Sequence, residues 1–357
     1  MTARPVRVAV VGAGWWSTDH HVPALLGHPD AEVVAVCDPV PDRAQRLAAQ
    51  AGALAAANLD DALACTQVDA VVISTPHVTH HALVGAALDA GLDVLVEKPL
   101  ALTADHAFDL VERAERLGRH LVTGYTHQLD AGAGAARSAV RAEIGDLVQV
   151  TVEFSSRAGD LFVAAQHGIG SDDRGRHPEA YSAANGGGQA HTQLTHALGM
   201  LCWATDEELA QVAAFVGSHG LDVDVDDAAA FRMRGGATGV VVGSGATPSG
   251  SPPRQHVRYL GTRGTVEQDL HRARVVVHRA DGSQVHHEPG QHTPAYQAGA
   301  PARALVDVVL GRTENPAPPR PAAAAVAAVE ALLTAAREHR VVDVAPLPPP
   351  PGVRPLG

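Results

Sequence analysis

Lysine is almost missing from this 357-residue sequence, in which Lys98 is the single lysine among 27 basic residues. Arginine supplies every other basic charge, and arginine stays protonated in proteins, whereas an amine can lose its proton. One interpretation of Lys98 is a surface charge kept by chance. The interpretation that we favour is that this position needs an amine whose proton can be exchanged.

Cysteine is also scarce, and the three cysteines at positions 37, 65 and 202 are odd in number and widely spaced. They show neither metal-ligand spacing nor a disulfide framework, which is typical of a reducing compartment, so we expect a cytoplasmic protein. No window reaches the ~18 apolar residues of a membrane span, and the N-terminus does not resemble a secretory signal.

Basic charge is in deficit as well, because 39 acidic against 27 basic residues give a net charge of −12. No basic stripe stands out along the chain, so neither a nucleic acid nor an anionic membrane is an expected partner. Adjacent histidine pairs occur, but their spacing does not match a metal site, and no metal is expected.

The first 124 residues alternate short apolar runs with helical patterns. This alternation predicts βαβ units and a doubly wound parallel sheet of the Rossmann type. The expected strands are Val6–Val11, Glu32–Cys37, Val68–Ser74, Leu92–Val96 and His120–Gly124.

From residue 125 onward, strands with one polar face alternate with turns. The pattern predicts an α+β domain over residues 125–345 with an open-faced, mostly antiparallel sheet. A long segment between Ser156 and Gly188 is expected to be a loop that is either functional or disordered. The proline-rich tail, residues 346–357, is expected to lack fixed packing. The expected later elements are strands Leu147–Ser155, Gln211–Val216, Asp227–Met233, Gly239–Gly243, Val257–Leu260, Gly264–Gln268 and Ala273–His278, and a last helix Pro321–His339.

A glycine turn follows the first strand. The motif Gly12-x-Gly14 continues through Trp15 and Trp16 to Ser17, which replaces the third glycine of G-x-G-x-x-G. The first glycine permits the tight turn, and the second lets the backbone approach a pyrophosphate at a helix N-terminus. We therefore expect these two glycines and both tryptophans to contact a dinucleotide.

Asp38 closes the second strand, where a carboxylate would accept hydrogen bonds from the adenosine ribose and repel a 2′-phosphate. This placement favours NAD over NADP. A turn residue before Pro39 is the alternative interpretation of Asp38.

Two further strands end in residues that would lie near the nicotinamide, because open α/β sheets bind ligands at the carboxyl ends of their strands. Thr75, Pro76 and His80 follow one strand, and Glu97 and Lys98 follow the next. His80 has an alternative interpretation as a histidine of the first helical turn.

Lys98 needs burial or a nearby positive charge to act as a base at neutral pH, since a free lysine titrates near ~10.4. The following Pro99 allows a cis peptide bond. Adjacent residues on a strand point to opposite faces, so Glu97 and Lys98 share one site only if the strand has ended.

The motifs together resemble the Gfo/Idh/MocA oxidoreductase family across nearly the whole chain. This resemblance implies a Rossmann domain joined to an open-faced sheet domain, and oxidation or reduction of sugars and cyclitols with NAD or NADP. It also implies that Lys98 shuttles a proton. The residues that carry it are Gly12-x-Gly14, Thr75-Pro76 with His80, Ala90-Gly91, Glu97-Lys98-Pro99 and Gly186-Gly187-Gly188.

The helix after the glycine triplet departs from the family pattern, in which Asp and His lie four residues apart on one helix face. His196 is in place, but Thr192 stands where Asp is common. Thr192 can bind a substrate hydroxyl yet carries no charge, so His196 becomes the expected partner of Lys98 in proton transfer. A core histidine satisfied by backbone groups is the alternative.

Further candidate substrate contacts are Tyr125, Arg157, Tyr181 and Gln193, and a weaker one is His177. A packed aromatic at the domain junction is an equally good interpretation of Tyr125.

Three functions are compatible with these residues. The leading one is an NAD-dependent dehydrogenase or ketoreductase acting on a polyhydroxylated sugar, sugar derivative or cyclitol. The second couples transient oxidation to elimination and so cleaves a glycoside, and the third is a non-catalytic dinucleotide-sensing regulator. An open sheet face predicts a homodimer or homotetramer.

Overall fold

The computed structural model describes residues 4–168, 178–291 and 293–350. Its N-terminal part is a six-stranded sheet in which every pairing is parallel. The strands are β1 (Val6–Val11), β2 (Ala31–Cys37), β3 (Leu54–Ala56), β4 (Ala70–Ile73), β5 (Asp93–Val96) and β6 (Leu121–Thr123).

The strand order of this sheet, β3-β2-β1-β4-β5-β6, reverses direction between β1 and β4. Such a reversal opens a crevice at the carboxyl ends of the two strands, which is where doubly wound sheets bind ligands. Val8 and Val10 of β1 are fully buried, as are Val71 and Val72 of β4, because helices cover both faces. The predicted Rossmann sheet is confirmed.

In the described residues, five α-helices connect the six strands of this sheet. Their ends have local causes: Thr103 caps α5 by accepting a hydrogen bond from the backbone N–H of His106, and Gly118 ends it in the left-handed region. The helices are α1 (Val22–Leu26), α2 (Pro41–Ala51), α3 (Leu59–Cys65), α4 (His80–Asp89) and α5 (Ala104–Leu117).

The second sheet has nine strands in the order β14-β13-β12-β11-β7-β10-β9-β8-β15. All pairings are antiparallel except the parallel pair β7 and β10, so the expectation of a mostly antiparallel sheet is confirmed. The strands are β7 (Leu147–Ser155), β8 (Leu209–Gly217), β9 (Asp226–Met233), β10 (Thr238–Ser244), β11 (Arg254–Gly261), β12 (Gly264–Asp269), β13 (Arg274–Arg279), β14 (Gln284–His287) and β15 (Val342–Asp343).

Helices pack on one face of this sheet and leave the other face open, which produces the alternating burial along β9 and β10. The long α10 is rich in alanine, and its small side chains let it pack against both β8 and α5. The remaining helices are α6 (Ala133–Ala142), α7 (Gly159–Gln166), α8 (Thr195–Thr205), α9 (Ala300–Val309) and α10 (Pro319–Glu338).

The domain division at residues 124 and 345 needs a correction. Helix α9 returns to the Rossmann sheet, where Leu305 and Val306 join the core built around β1. Just beyond it, the backbone N–H and the hydroxyl of Thr123 both donate to the carbonyl oxygen of Ala317. Residues 300–317 therefore pack with the first domain, although they follow the second in sequence.

Two expectations of irregular structure are also wrong in part. The tail is fixed as far as it is described, because Leu347 donates its backbone N–H to Glu208 and the carbonyl of Pro348 accepts from Arg320. The expected loop between residues 156 and 188 contains α7 and two short 3-10 turns. His177 lies outside the described residues.

Within the described ranges, no helix combines the length and the apolar character that a bilayer crossing requires.

Candidate active site

The glycine turn after β1 has a different requirement at each glycine. Gly12 has φ +98°, and a Cβ there would lie 2.2 Å from the carbonyl oxygen of Ser74, so only glycine fits. A Cβ at Gly14 would meet no atom within 4 Å. The backbone at Gly12 is therefore packed tightly against Ser74, whereas the space beside Gly14 contains no protein atom. A pyrophosphate needs such open space to approach the backbone.

Asp38 lies directly against this turn. Its Oδ2 accepts the backbone N–H of Ala13 at 2.9 Å, and its Oδ1 accepts that of Val40 at 2.9 Å. The bond to Val40 matches the turn interpretation, while the bond to Ala13 brings the carboxylate to the glycine turn. A carboxylate oxygen can accept more than one hydrogen bond, so both oxygens of Asp38 can still accept from ribose hydroxyls. Together with the open backbone at Gly14, this carboxylate fits an adenine dinucleotide.

Glu97 holds Trp16 in place. Its Oε1 accepts the indole N–H of Trp16 at 2.9 Å and lies 3.0 Å from Nε2 of His21. Burial alone would raise the pKa of Glu97, but hydrogen bonds from His21 and Trp16, with the charge of Lys98, outweigh it and lower the pKa. Glu97 therefore positions Trp16, and its contact with a cofactor stays a prediction.

Lys98 lies beyond the end of β5, so it does not have to point away from Glu97. The peptide bond between Lys98 and Pro99 is cis, as the sequence allowed. The Nζ atom is partly buried and donates to the backbone carbonyl oxygen of Thr192 at 2.7 Å. Burial lowers the pKa of Lys98 to about 8, against the opposing charge of Glu97. The amine can therefore exchange a proton near neutral pH.

His80 is held between two backbone carbonyl groups. Its Nδ1 lies 2.7 Å from the carbonyl oxygen of Pro99 and its Nε2 lies 3.1 Å from that of Thr75. The ring is fully buried, and in its neutral form it donates to one of these two carbonyl oxygens. These contacts match the helical-turn interpretation and connect His80 to the turn that carries Lys98, while its contact with a cofactor stays a prediction.

The neighbouring residues Thr75 and Pro76 form a half-buried turn beside Lys98, closed by the hydroxyl of Thr79. Their contact with a cofactor stays a prediction. His77 ends the same strand in the sequence, but its contact was not predicted: its Nδ1 lies 2.9 Å from the carbonyl oxygen of Gly186 and joins the first domain to the glycine triplet. Burial, with His80 and Lys98 nearby, holds the pKa of His77 well below its ordinary value.

The glycine triplet is required by close backbone packing. A Cβ at Gly187 would lie 1.7 Å from the carbonyl oxygen of Tyr181, and one at Gly188, with φ +101°, would lie 2.2 Å from a carboxylate oxygen of Asp224. Asp224 also accepts the backbone N–H of Ala190. These contacts fix the start of the π-helical turn Ala190–Leu194, which leads into α8.

Thr192 takes part in the site through its backbone. Its hydroxyl donates to the carbonyl oxygen of Gly188 at 2.6 Å and is buried, and its contact with a substrate stays a prediction. Its own carbonyl oxygen accepts the amine of Lys98. A sequence motif identifies side chains, whereas this contact is made by a backbone carbonyl group. The sequence therefore contains no signal that Thr192 binds Lys98 in this way.

His196 lies one helical turn further on, stacked on Phe154 with ring centroids 5.7 Å apart. Its Nδ1 is enclosed and has no hydrogen-bond partner, while 7% of the residue stays exposed. Burial, with Lys98 and His127 nearby, holds the pKa of His196 well below its ordinary value. A structural histidine would have its nitrogens satisfied by the backbone, so this geometry favours a functional one.

Tyr125 is packed rather than exposed to a substrate. Its ring is enclosed against Gly199, where a Cβ would lie 2.5 Å from the ring, and its hydroxyl lies 2.7 Å from that of Thr195. This packing matches the domain-junction interpretation, and contact of Tyr125 with a substrate stays a prediction.

The other substrate candidates are placed less centrally. Arg157 is exposed and pairs with Asp160 at 3.3 Å, and Tyr181 packs against Phe162 in a small cluster. Gln193 is half-buried on the π-helical turn. Their roles stay predictions. In the described part of the chain, no group of three or more metal-ligating side chains is assembled.

The doubly wound sheet, the open glycine turn and the carboxylate beside it define a dinucleotide-binding protein of the Rossmann class. The chain belongs to the GFO/IDH/MocA oxidoreductase family. The model described as an oxidoreductase family with an NAD-binding Rossmann fold matches residues 6–125, and the model of the GFO/IDH/MocA C-terminal domain matches residues 134–267.

Curated relatives match less than half of the chain. Inositol 2-dehydrogenase 1 of Saccharopolyspora erythraea is 40% identical over 162 residues, which are 44% of this chain and 48% of that protein. D-Glucoside 3-dehydrogenase of Escherichia coli is 31% identical over 161 residues, 44% of this chain and 46% of that one. The chain spans about half the length of the curated relatives that it matches.

Solved structures extend the similarity to the whole chain. GenD2 from gentamicin A biosynthesis, in complex with NAD, has a TM-score of 0.77 and 26% identity, covering 97% of this chain and 98% of that one. The WlbA dehydrogenase from Bordetella pertussis, in complex with NADH and UDP-GlcNAcA, has a TM-score of 0.76 and 23% identity, with 96% and 99% covered. The second match is a likeness of fold.

Proposed function

We propose that this protein is an NAD-dependent oxidoreductase that moves a hydride between nicotinamide and a carbinol or keto carbon of a sugar, sugar derivative or cyclitol. The observation that carries the proposal is the partly buried amine of Lys98, held by the carbonyl of Thr192 at the carboxyl edge of the Rossmann sheet. The substrate class is taken from curated relatives, which are named as an inositol dehydrogenase and a glucoside dehydrogenase. When bound, the nicotinamide accepts or gives the hydride.

The glycine turn and its neighbours would hold the cofactor. Gly12 and Gly14 present backbone to the pyrophosphate, and Asp38 binds the adenosine ribose and so selects NAD over NADP. Trp16, fixed by Glu97, forms a wall of the crevice close to Lys98. Thr75 and Pro76 would line the opposite wall of this crevice, at the carboxyl ends of the strands.

The proton of the reacting hydroxyl is handled by Lys98 and His196. In its neutral form the amine accepts this proton during oxidation, and as an ammonium ion it returns the proton during reduction. Its hydrogen bond to Thr192 orients the amine and leaves the nitrogen lone pair free for the substrate. His196, on the following helix, is the second acid–base group of the site.

The experiment is a panel of polyols, sugars, cyclitols and nucleotide sugars, each offered with NAD and with NADP and followed at about 340 nm, the NADH absorbance. We expect NADH formation with at least one polyhydroxylated compound and a preference for NAD. Absence of turnover with every compound, despite tight NAD binding, would favour a dinucleotide sensor. Deuterium uptake from solvent beside the oxidised carbon would indicate oxidation coupled to elimination.

The open face of the second sheet is the proposed subunit interface of a homodimer or homotetramer. Phe215, Ala228 and Val242 are cross-strand neighbours on this face, and Phe215 is 78% exposed. An exposed apolar patch of this kind is typical of an interface between subunits. Light scattering should detect an oligomer that Phe215→Arg and Val242→Asp together dissociate.

A further inference from the structure

Tyr296 lies in the segment between β14 and α9, which leads from the second sheet back to the Rossmann domain. The site described above does not include it. Two contacts fix the chain beside it: the carbonyl oxygen of Gln297 accepts the backbone N–H of Ala300 at 2.8 Å, and its Oε1 accepts from Arg303 at 3.2 Å. The position of Tyr296 is therefore set by the first turn of α9.

The ring of Tyr296 lies between two sides of the proposed active site. On one side its centroid is 6.4 Å from that of Trp16, whose indole donates to Glu97. On the other side it is 5.0 Å from the ring of His127, which in turn lies 5.5 Å from that of His196. Tyr296 therefore borders the crevice in which the proton of a substrate is to be exchanged.

Tyr296 reverses the usual arrangement of a tyrosine at a protein surface. A tyrosine commonly buries its ring and leaves its hydroxyl in water. Here 37% of the residue is exposed, while the hydroxyl end is buried near Thr126, Glu97 and Asp130. Burial raises the pKa of Tyr296, and the two carboxyl groups raise it further against the opposing effect of the Thr126 hydroxyl. The exposed part of this neutral phenol is therefore the ring itself.

Most of the other rings at this crevice are enclosed. Tyr125 and Phe154 are each 1% exposed, and His196 is 7% exposed. Trp16 is half-buried and belongs to the glycine turn, on the cofactor side. Ligand pockets are lined mainly by apolar and aromatic side chains, so the open ring of Tyr296 is well suited to contact a ligand.

Cyclic polyols have a surface that matches such a ring. In a pyranose or a cyclitol most hydroxyl groups point outward from the edge, and axial C–H bonds form an apolar face. The face of an aromatic ring is electronegative and attracts the weakly positive hydrogens of these bonds. An open-chain polyol has no fixed apolar face, and it would have to give up conformational freedom to present one.

We propose that the exposed ring of Tyr296 is the platform on which the C–H face of a cyclic substrate stacks, and that it selects pyranosides and cyclitols over open-chain polyols. This inference rests on the function proposed above and narrows its substrate class. A substrate ring stacked on Tyr296 presents the hydroxyl groups of its edge to Lys98 and His196. Tyr296 is thus a specificity-determining residue that contacts the substrate and takes no part in proton transfer.

The test measures binding in a complex that cannot react, because an alcohol and NADH are both in the reduced state. Calorimetry follows the titration of the NADH-saturated protein with myo-inositol, methyl β-D-glucopyranoside and the open-chain polyol sorbitol. Tyr296→Leu removes the flat ring and keeps an apolar side chain. We expect it to weaken binding of the cyclic compounds about tenfold and to change the weaker binding of sorbitol by less than about twofold.

Tyr296→Phe is the matched control, since it keeps the ring and removes only the hydroxyl. It should bind the cyclic compounds within about twofold of the wild type, because the ring and not the phenol oxygen makes the contact. The affinity for NADH should be the same in all three proteins. A purely structural role of Tyr296 would instead weaken the binding of every ligand.

Three results overturn the platform. They are the failure of both cyclic compounds to bind the wild type, an effect of Tyr296→Leu that is absent or equal for cyclic and open-chain compounds, and a loss of NADH affinity in that variant. The turnover panel tests the proposed function separately. Cyclic binding that depends on Tyr296 in a protein without turnover retains the platform and refutes the proposed function. Turnover of a cyclic compound that Tyr296→Leu leaves unchanged has the opposite meaning.

Discussion

The amine of Lys98 and the backbone carbonyl oxygen of Thr192 are joined by a hydrogen bond of 2.7 Å. This bond crosses from the carboxyl edge of the Rossmann sheet to the π-helical turn before α8. The proposed proton-exchanging residue is therefore placed by one domain and oriented by the other. Five predictions follow from this arrangement and its surroundings.

Replacing Lys98 with arginine should remove turnover and leave cofactor binding intact. Arg keeps a positive charge and can reach the Thr192 carbonyl, but it does not lose a proton at neutral pH. We expect kcat to fall by about 100-fold or more, a typical contribution of general acid–base catalysis. Calorimetric titration should show an NAD affinity close to that of the wild type. Turnover within about threefold of wild type would exclude lysine titration from the mechanism.

The pH dependence of oxidation should follow Lys98. Its pKa of about 8 means that the neutral amine becomes scarce below this pH. We expect kcat/KM for oxidation to fall about tenfold per pH unit below this value and to level off above it. Reduction needs the ammonium form and should show the opposite trend. A profile that is flat across this range in both directions would contradict the assignment.

Glu97→Gln should shift this profile to lower pH. The charge of Glu97 raises the pKa of Lys98, so its removal lowers that pKa further. Glutamine keeps an oxygen that can accept from Trp16 and His21. Glu143→Gln is the control, since Glu143 pairs with Arg279 on the surface at 2.7 Å. An unchanged break in the Glu97→Gln profile would mean that the two groups are not coupled.

The two glycines of the turn should respond differently to alanine. Gly12→Ala places a methyl group against the Ser74 carbonyl in a left-handed backbone conformation and should destabilise the fold by about 2 kcal/mol or more. Gly14→Ala meets no protein atom, so stability should hold while NAD affinity falls about tenfold, or 1.4 kcal/mol. Urea unfolding and calorimetry measure the two effects. Equal NAD affinity in Gly14→Ala would place the cofactor elsewhere.

Thr192→Val should have little effect on turnover. The hydroxyl of Thr192 is occupied by Gly188, and valine has nearly the same shape and keeps the carbonyl that binds Lys98. We expect kcat within about threefold of wild type, with some loss of stability from the missing hydrogen bond, about 1 kcal/mol. A loss of turnover comparable with that of Lys98→Arg would show that the hydroxyl contacts the substrate.

Local patterns were sufficient to predict much of this protein. The buried strands, the glycine turn and the position of Lys98 each depend on a few consecutive residues, and the structure places them as expected. The short β3 and α3 were missed, because alanine-rich segments of three and seven residues carry little periodicity.

The parts that were missed depend on contacts between distant segments. His77 meets Gly186, and Thr123 meets Ala317, across more than a hundred residues of chain in each case. The ring contacts of His127 with His196 and Tyr296 likewise join segments that are far apart in the chain. Tyr125 and His80 were predicted to contact a ligand because the sequence does not show that distant parts of the chain enclose them.

The indole N–H of Trp16 donates a hydrogen bond to Glu97, the residue before Lys98. The ring of Trp15 packs edge-on against the ring of Trp16, with centroids 4.9 Å apart. The chain has three tryptophans in all, and two of them lie at the glycine turn. The emission of these rings overlaps the absorbance of a reduced nicotinamide, so energy transfer between them gives an intrinsic optical signal. Occupancy of the crevice can thus be followed without a label and before any substrate is known.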